Sequence, residues 1–306
     1  MSRQPESQGR PPVSPFLFLL ALTLIQACGQ STREGPSSPG GHVLDDLGIP
    51  VPNTPAPHRI ISLAPSITET LFALGLDSSI IGVTEYCNHP AAARLKESIG
   101  GMTNPSFERI AGLNPDLILM SVAGNSRADY DKLVNLGFRV FVSYPSGIDE
   151  VYESIQRIGQ MTGAQTAADS LVDSMRAEQE RLTKEARQRP ARDILMLLSL
   201  RPPIAAGDKT FLQEMLLLAN TRNLAVEAPT SYPLLSREHV LSLQPDVIFV
   251  LNDAANSPEK VYDAFPEWRN FDTVRSRRVT IIDADVVSRP GPRIMLGLRQ
   301  IVAALH

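Results

Sequence analysis

Cys87 and His89 stand two residues apart. A thiolate beside an imidazole is a soft donor pair suited to cobalt or another transition metal. The same residues also read as a buried thiol next to a loop histidine, the commoner arrangement. The other histidines, His42, His58, His239 and His306, show no H-x-x-x-H spacing, and no obvious set of histidines and carboxylates converges as a metal receptor requires. The chain carries no G-x-S-x-G elbow, no P-loop and no G-x-G-x-x-G turn. The expectation is a protein without catalytic residues, without a resident metal and without a cofactor. A metal-dependent enzyme or chelatase is the competing class, and turnover would distinguish it from a receptor.

Glu108 and Glu238 occupy one place in two copies of a phrase. Ser106-Phe107-Glu108-Arg109-Ile110 runs through Leu113 to Pro115-Asp116-Leu117-Ile118. At an offset of 130 residues, Ser236-Arg237-Glu238-His239-Val240 runs through Leu243 to Pro245-Asp246-Val247-Ile248. Each copy predicts a Ser-capped short helix, a turn at Pro-Asp and a buried strand. An acid in the first turn offsets the positive end of the helix dipole, worth about 0.3–1 kcal/mol.

The elements that carry these residues alternate. Arg59-Ile60-Ile61-Ser62-Leu63 is an apolar run of strand length, turned by Ala64-Pro65-Ser66. Ser66 is expected to cap a helix carrying Leu71, Phe72 and Leu74 and stopped by Gly75. Ile80-Ile81-Gly82-Val83 reads as the next strand, and Phe138–Val142 and Arg278–Ile282 as later strands of two lobes. The prediction is an α/β fold of two similar lobes with largely parallel sheets. Between them Val151, Ile155, Ile158 and Met161 recur at helical spacing; past Gly163, so do Ala164, Ala167, Leu171, Met175 and Leu182. The expected plan is an N-terminal lobe over 58–148, a helical connector over 149–189 built on one long backbone helix, and a C-terminal lobe over 190–306. The cleft of such a clamp is a natural ligand site.

Arg3 and Arg10 precede an apolar stretch from Phe16 to Ile25, too short for a bilayer span and suited to a secretory signal over residues 1–27. Ile25-Gln26-Ala27-Cys28 resembles a bacterial lipobox, which makes Cys28 the lipidation site; an ordinary signal followed by a chance cysteine is the alternative. Residues 28–57, rich in Pro, Gly and Ser, read as a flexible tether. With Cys28 acylated, Cys87 has no partner, so no disulfide framework is expected. A net charge of −4 without a basic patch excludes nucleic acid as a partner.

Four phrases resemble class III periplasmic binding proteins, the helical-backbone substrate-binding proteins of ABC importers, and within them the cobalamin branch. They are Ile61–Glu69, Gly82-Val83-Thr84-Glu85-Tyr86-Cys87-Asn88-His89-Pro90, Gly100-Gly101-Met102-Thr103-Asn104-Pro105-Ser106-Phe107-Glu108 and Ser288-Arg289-Pro290-Gly291-Pro292-Arg293. The resemblance implies a monomeric receptor outside the cytoplasm, lipid-anchored to the membrane, that hands a corrinoid to a permease and an ATPase. It implies ligand contacts from Tyr86, Met102, Tyr232, Asp285 and Arg289, and permease docking through Glu108 and Glu238. The alternative roles are packing at a lobe rim for the two tyrosines and an intralobe ion pair for Asp285 and Arg289. Within the same family an iron-siderophore or haem receptor is the alternative function. Trp268, in a Pro-x-Trp segment common to the family, reads as core.

Overall fold

In the computed structural model the residues described are 41–226, 230–270, 276 and 278–305. Two parallel sheets repeat one plan. In lobe 1, β3 (Ile60–Ser62), β4 (Ile80–Val83), β5 (Glu97–Ser98), β6 (Leu117–Ser121) and β7 (Val140–Ser143) take the order β5-β4-β3-β6-β7. In lobe 2, β8 (Arg192–Leu200), β10 (Thr221–Asn223), β11 (Val247–Leu251) and β12 (Val279–Ile282) take the order β10-β8-β11-β12. A short antiparallel strand, β9 (Pro203–Ala205), is added to β8.

The central strands are buried on both faces, as parallel strands covered by helices must be. Their residues nevertheless alternate between two cores. Leu117 and Leu119 of β6, Ile194 and Met196 of β8, and Val247, Phe249 and Leu251 of β11 share one apolar cluster that runs through both lobes. Ile118 and Met120 face a cluster private to lobe 1. Leu195, Leu197, Ile248 and Val250 face one private to lobe 2, where Trp268 is fully buried and stacked on Phe265 at 3.9 Å between ring centroids.

The helices of lobe 1 are α1 (Pro65–Ala73), α2 (Phe107–Leu113) and α3 (Arg127–Asn135). Ser66 is not the cap of α1. That place falls to extended Ala64, Pro65 opens the helix with a φ already suited to it, and Ser66 lies buried in the first turn. The connector is a pair of helices, α4 (Ile148–Thr162) and α5 (Gln165–Ala186). Gly163, at φ 75°, ends α4 in the left-handed conformation glycine adopts freely, and the chain folds back. Hydrogen bonds from Gln156 to Asp169, Arg176 to Asp149 and Tyr152 to Gln179 lie along this hairpin. The long helix leading into lobe 2 is α5. That lobe carries α6 (Phe211–Leu218), α7 (Arg237–Leu243), α8 (Pro258–Ala264), α9 (Ala284–Val287) and α10 (Ile294–Ala304).

The repeat is structural. Ser106 Oγ accepts the Arg109 N–H at 3.3 Å, and Ser236 Oγ accepts the His239 N–H at 3.0 Å. Both helices close on a left-handed residue, Asn114 at φ 46° and Gln244 at φ 49°. The aspartate that follows ties the first strand of its lobe: Asp116 accepts from the His58 and Arg59 N–H groups, Asp246 from the Asp193 N–H.

Residues 41–57 are folded, against the expectation of a tether. β1 (His42–Leu44) and β2 (Pro50–Pro52) form an antiparallel hairpin, and each contributes one valine, Val43 and Val51, to the shared core. Arg139 donates to the Pro52 and Pro55 carbonyls and holds the segment on lobe 1. Pro- and Gly-rich composition concealed two buried valines, enough to dock so short a hairpin. Residues 28–40, with Cys28 and the signal segment, lie outside the described residues. Among the described residues no helix is long and apolar enough to cross a membrane.

Candidate functional site

The loop after β4 is set by a cluster of small polar side chains. Cys87 is buried, with its sulfur 3.1 Å from Thr68 Oγ1 and 3.2 Å from Thr84 Oγ1, and Thr68 Oγ1 lies 2.8 Å from Ser62 Oγ. Burial pushes the thiol above its ordinary value, despite the hydroxyls that favour the thiolate. With Cys87 pinned inward, its neighbour Tyr86 is 54% exposed. His89 is exposed, so the soft donor pair divides between interior and surface. Among the described residues no group of three or more His, Cys, Asp or Glu side chains is placed to hold a metal.

Tyr86 lines an inter-lobe cavity of about 690 Å³. Lobe 1 contributes Thr84 to Asn88, Arg94, Lys96 and Ser98; lobe 2 contributes Asp253, Asp285 and Arg289. All but Lys96, which precedes β5 and donates to the Asp77 carbonyl, lie at or beyond the carboxyl ends of strands, where open α/β sheets bind ligands.

Asp285 and Arg289 form an ion pair, the arrangement given above as the alternative to ligand contact, 2.5 Å between Oδ1 and Nη2 and one turn apart in the segment around α9. Their pairing also extends across the lobes. Arg289 Nη1 donates to Asn88 Oδ1 at 2.7 Å and to Glu69 Oε1 at 3.0 Å, and Asn88 Nδ2 donates to Asp285 Oδ2 at 2.9 Å. Glu69, on α1 and 4% exposed, also holds Arg293 by two bonds of 2.6 and 2.8 Å. That carboxylate raises the Arg293 guanidinium above its ordinary value. The turn between the arginines packs so tightly on α1 that a Cβ on Gly291 would meet the Ser66 carbonyl oxygen at 3.1 Å. The charge of Arg289 is therefore matched before any ligand enters.

The cavity brings together Tyr86, Asp285 and Arg289 but not Met102 or Tyr232. Met102 is packed against the shared core and over Gly124, whose missing Cβ leaves room for its thioether. Tyr232 is 55% exposed in a segment drawn alongside β9, where the Ala205 and Gly207 N–H groups donate to the Pro233 and Ser231 carbonyls. The pairing of Tyr86 and Tyr232 as facing walls of one pocket is therefore not formed here. Glu69, Asn88 and Arg293 were not singled out from the sequence. All three lie inside the quoted phrases, but only their convergence shows their use. Glu108 and Glu238 are exposed, one per lobe in equivalent first turns; the Arg237 guanidinium beside Glu238 is raised chiefly by its bonds to Glu267, and the charge of Glu238 adds to that effect.

Two repeated α/β lobes, a helical connector and a cavity between strand ends define a two-lobed solute receptor. The chain belongs to the periplasmic binding protein family, whose sequence profile matches residues 60–286. An uncharacterised ABC transporter substrate-binding lipoprotein of Bacillus subtilis (strain 168) is 32% identical, over 94% of this chain and 95% of that one. A vitamin B12-binding protein of Photorhabdus laumondii subsp. laumondii is 27% identical over 82% of this chain and 89% of its own length. Among solved structures, the periplasmic vitamin B12 binding protein of Vibrio cholerae aligns with TM-score 0.72 and 28% identity over 81% of this chain and 96% of that one. The periplasmic heme-binding protein of Roseiflexus sp. RS-1 aligns with TM-score 0.74 and 26% identity, covering 81% and 97%. The protein is the substrate-binding component of an ABC transporter, not an enzyme, and its partners are a permease and an ATPase.

Proposed function

We propose that this protein captures cobalamin or a related corrinoid in the inter-lobe cavity and delivers it to the permease and ATPase of an ABC importer. The observation that carries this reading is Tyr86, a half-exposed aromatic ring on the wall of a cavity of about 690 Å³ whose deepest cation, Arg289, is already paired. A corrin presents a flat apolar rim and neutral amide arms. The ring suits the rim, and Asn88, Ser98 and the paired Asp285 and Arg289 offer donors and acceptors to amides. The vitamin B12-binding relatives support the same ligand class. Tyr86, Asp285 and Arg289 are the proposed contacts.

Arg94 on the lobe 1 side of the cavity favours a second reading, a carboxylate-bearing chelate such as haem or a ferric siderophore. Calorimetric titration of residues 41–306 with cobalamin, cobinamide, haem and a ferric siderophore separates the two. Corrinoid binding, weakened at least about tenfold by Tyr86→Ala with little change in the ligand-free melting temperature, is the expected result. Haem or siderophore binding without corrinoid binding overturns it.

The protein is further proposed to act outside the cytoplasm as a monomer, anchored by lipid on Cys28. Loss of labelled lipid and of membrane association in Cys28→Ser cells is the expected outcome, and retained lipid would refute it. Docking on the permease is assigned to Glu108 and Glu238.

A further inference from the structure

Lobe 1 presents a second aromatic residue at its ligand edge, outside the repeat and outside the four family phrases. Tyr144 directly follows β7 and is 48% exposed. The strands β4, β3, β6 and β7 are mutually parallel, so Tyr144 leaves the sheet at the same edge as the Thr84–Asn88 loop that walls the cavity. Val122, just after β6 and 42% exposed, is its neighbour: the Val122 N–H donates to the Ser143 carbonyl at 3.3 Å. The strand order sets the span of this edge. Three inter-strand steps of roughly 4.8 Å separate β4 from β7, so the ends that carry Tyr86 and Tyr144 stand about 14 Å apart. That is the scale of a tetrapyrrole-like ring rather than of an amino acid or a single sugar.

The end of β7 is fixed by a buried carboxylate from the N-terminal hairpin segment. The Tyr144 N–H donates to Asp46 Oδ2 at 2.8 Å, while Asp46 Oδ1 accepts from Arg157 Nη1 of α4 at 2.8 Å. The Asp46 N–H donates to the Val142 carbonyl at 3.0 Å, and the Asp46 side chain is only 4% exposed. The backbone of Tyr144 is thus held in place while its side chain stays half exposed at the ligand edge. A buried, doubly bonded carboxylate is a costly way to fix a loop that touches nothing.

We propose that Tyr144 contacts the bound ligand, extending to the far edge of lobe 1 the wall that Tyr86 begins, and that Asp46 is its positioning residue. This rests on the reading that the ligand is a broad, flat ring compound. The phenol ring offers an apolar face to the macrocycle rim, and the hydroxyl can meet a peripheral amide or carboxylate. Asp46 acts only through Tyr144, which makes the hairpin over residues 41–57 part of the binding apparatus.

The test titrates wild type, Tyr144→Ala, Tyr144→Phe, Asp46→Asn and the Tyr144→Ala/Asp46→Asn double variant with cobalamin, cobinamide and haem. Tyr144→Ala should weaken the ligand that wild type binds by about tenfold or more, with the ligand-free melting temperature nearly unchanged. Tyr144→Phe should stay within about threefold of wild type, since the ring makes the main contact. Asp46→Asn keeps the shape but loses the charge that Arg157 pairs with. Its effect on affinity should disappear when Tyr144 is already alanine, a non-additivity that a general structural role would not produce. Wild-type affinity in folded Tyr144→Ala overturns the proposal, whichever of the three compounds is the ligand. Additive losses in the double variant overturn the positioning role of Asp46. Failure of wild type to bind any of the three overturns the ring-compound reading, and this proposal with it.

Discussion

Glu69 and Arg293, 224 residues apart in the chain, form a two-bonded ion pair across the boundary between the lobes, with Arg289 on the same carboxylate. Its place beside the cavity means that the groups expected to meet ligand also hold the lobes together.

Glu69→Gln should therefore be destabilising while leaving the residue shape intact. The Glu69 side chain is 2% exposed and its two arginine partners 14% and 16%, so removal of the charge strands two guanidinium groups. Breaking a buried pair on one side costs about 3–5 kcal/mol, and Asp285 should keep the loss near the lower end. At about 2–4 °C per kcal/mol for a domain of this size, the melting temperature should fall by roughly 6–12 °C in calorimetry. An unchanged melting temperature would mean that the charge is solvated in solution.

Lobe movement on loading should be small. Ile60, Leu119 and Phe141 of lobe 1 share one buried cluster with Ile194, Met196 and Phe249 of lobe 2. Glu214 on α6 also accepts the Ile148 N–H at 2.7 Å, so lobe 2 caps the start of α4. Exposing about 200 Å² of this shared core would cost about 5 kcal/mol at 25 cal/mol per Å². Solution scattering of free and loaded protein should give the same radius of gyration within error; a marked compaction would contradict the shared core.

Changing Glu108 and Glu238 together to alanine should leave ligand affinity near wild type and reduce both ATPase stimulation and uptake, more than either single change. The carboxylates stand at matched places on the two lobes, away from the cavity lining, and interfacial carboxylates steer association with cationic partners. If they serve only the helix dipole, the double variant loses at most about 1 kcal/mol per site and transports normally. Uptake and melting temperature measured on one preparation decide between these outcomes.

Acid should erase the contribution of Glu178. Arg181 holds this α5 carboxyl down at about 2 against an ordinary 4.5, with Arg299 of α10 adding to the effect at 2.6 Å. A depressed carboxyl stabilises the fold above pH 4.5, and the benefit disappears as pH falls through 4.5 towards 2. The arginines are half exposed, so the effect is screened to about 1 kcal/mol at most. Glu178→Gln should melt slightly below wild type at pH 7 and level with it near pH 2. A gap that persists in acid would rule out an ionic origin.

Much of the architecture follows from local pattern. Runs such as Leu117–Ser121 and Val247–Leu251 can only be strands with both faces covered, and the spacing of Ser, Glu, Pro and Asp forces the same helix, turn and strand twice. The interruption at Gly163 was visible as well, because glycine at the end of an apolar helical stripe permits the left-handed turn that ended α4. These features depend on residues within a few turns of one another, and short-range backbone and side-chain preferences settle them.

The tertiary structure decided what depends on distant partners. Glu69, Asn88 and Arg293 look like ordinary polar residues until α1, the loop after β4 and the turn before α10 meet and neutralise one another. Val43 and Val51 are too few to announce a strand, and they become a hairpin because lobe 1 offers an edge and a core to receive them. Tyr86 and Tyr232 sit in similar proline-containing phrases, yet the buried Cys87 sets one on the cavity wall while pairing beside β9 draws the other away. Charge pairing, edge docking and cavity shape are properties of surfaces brought together by folding, and no local spacing encodes which surfaces will meet.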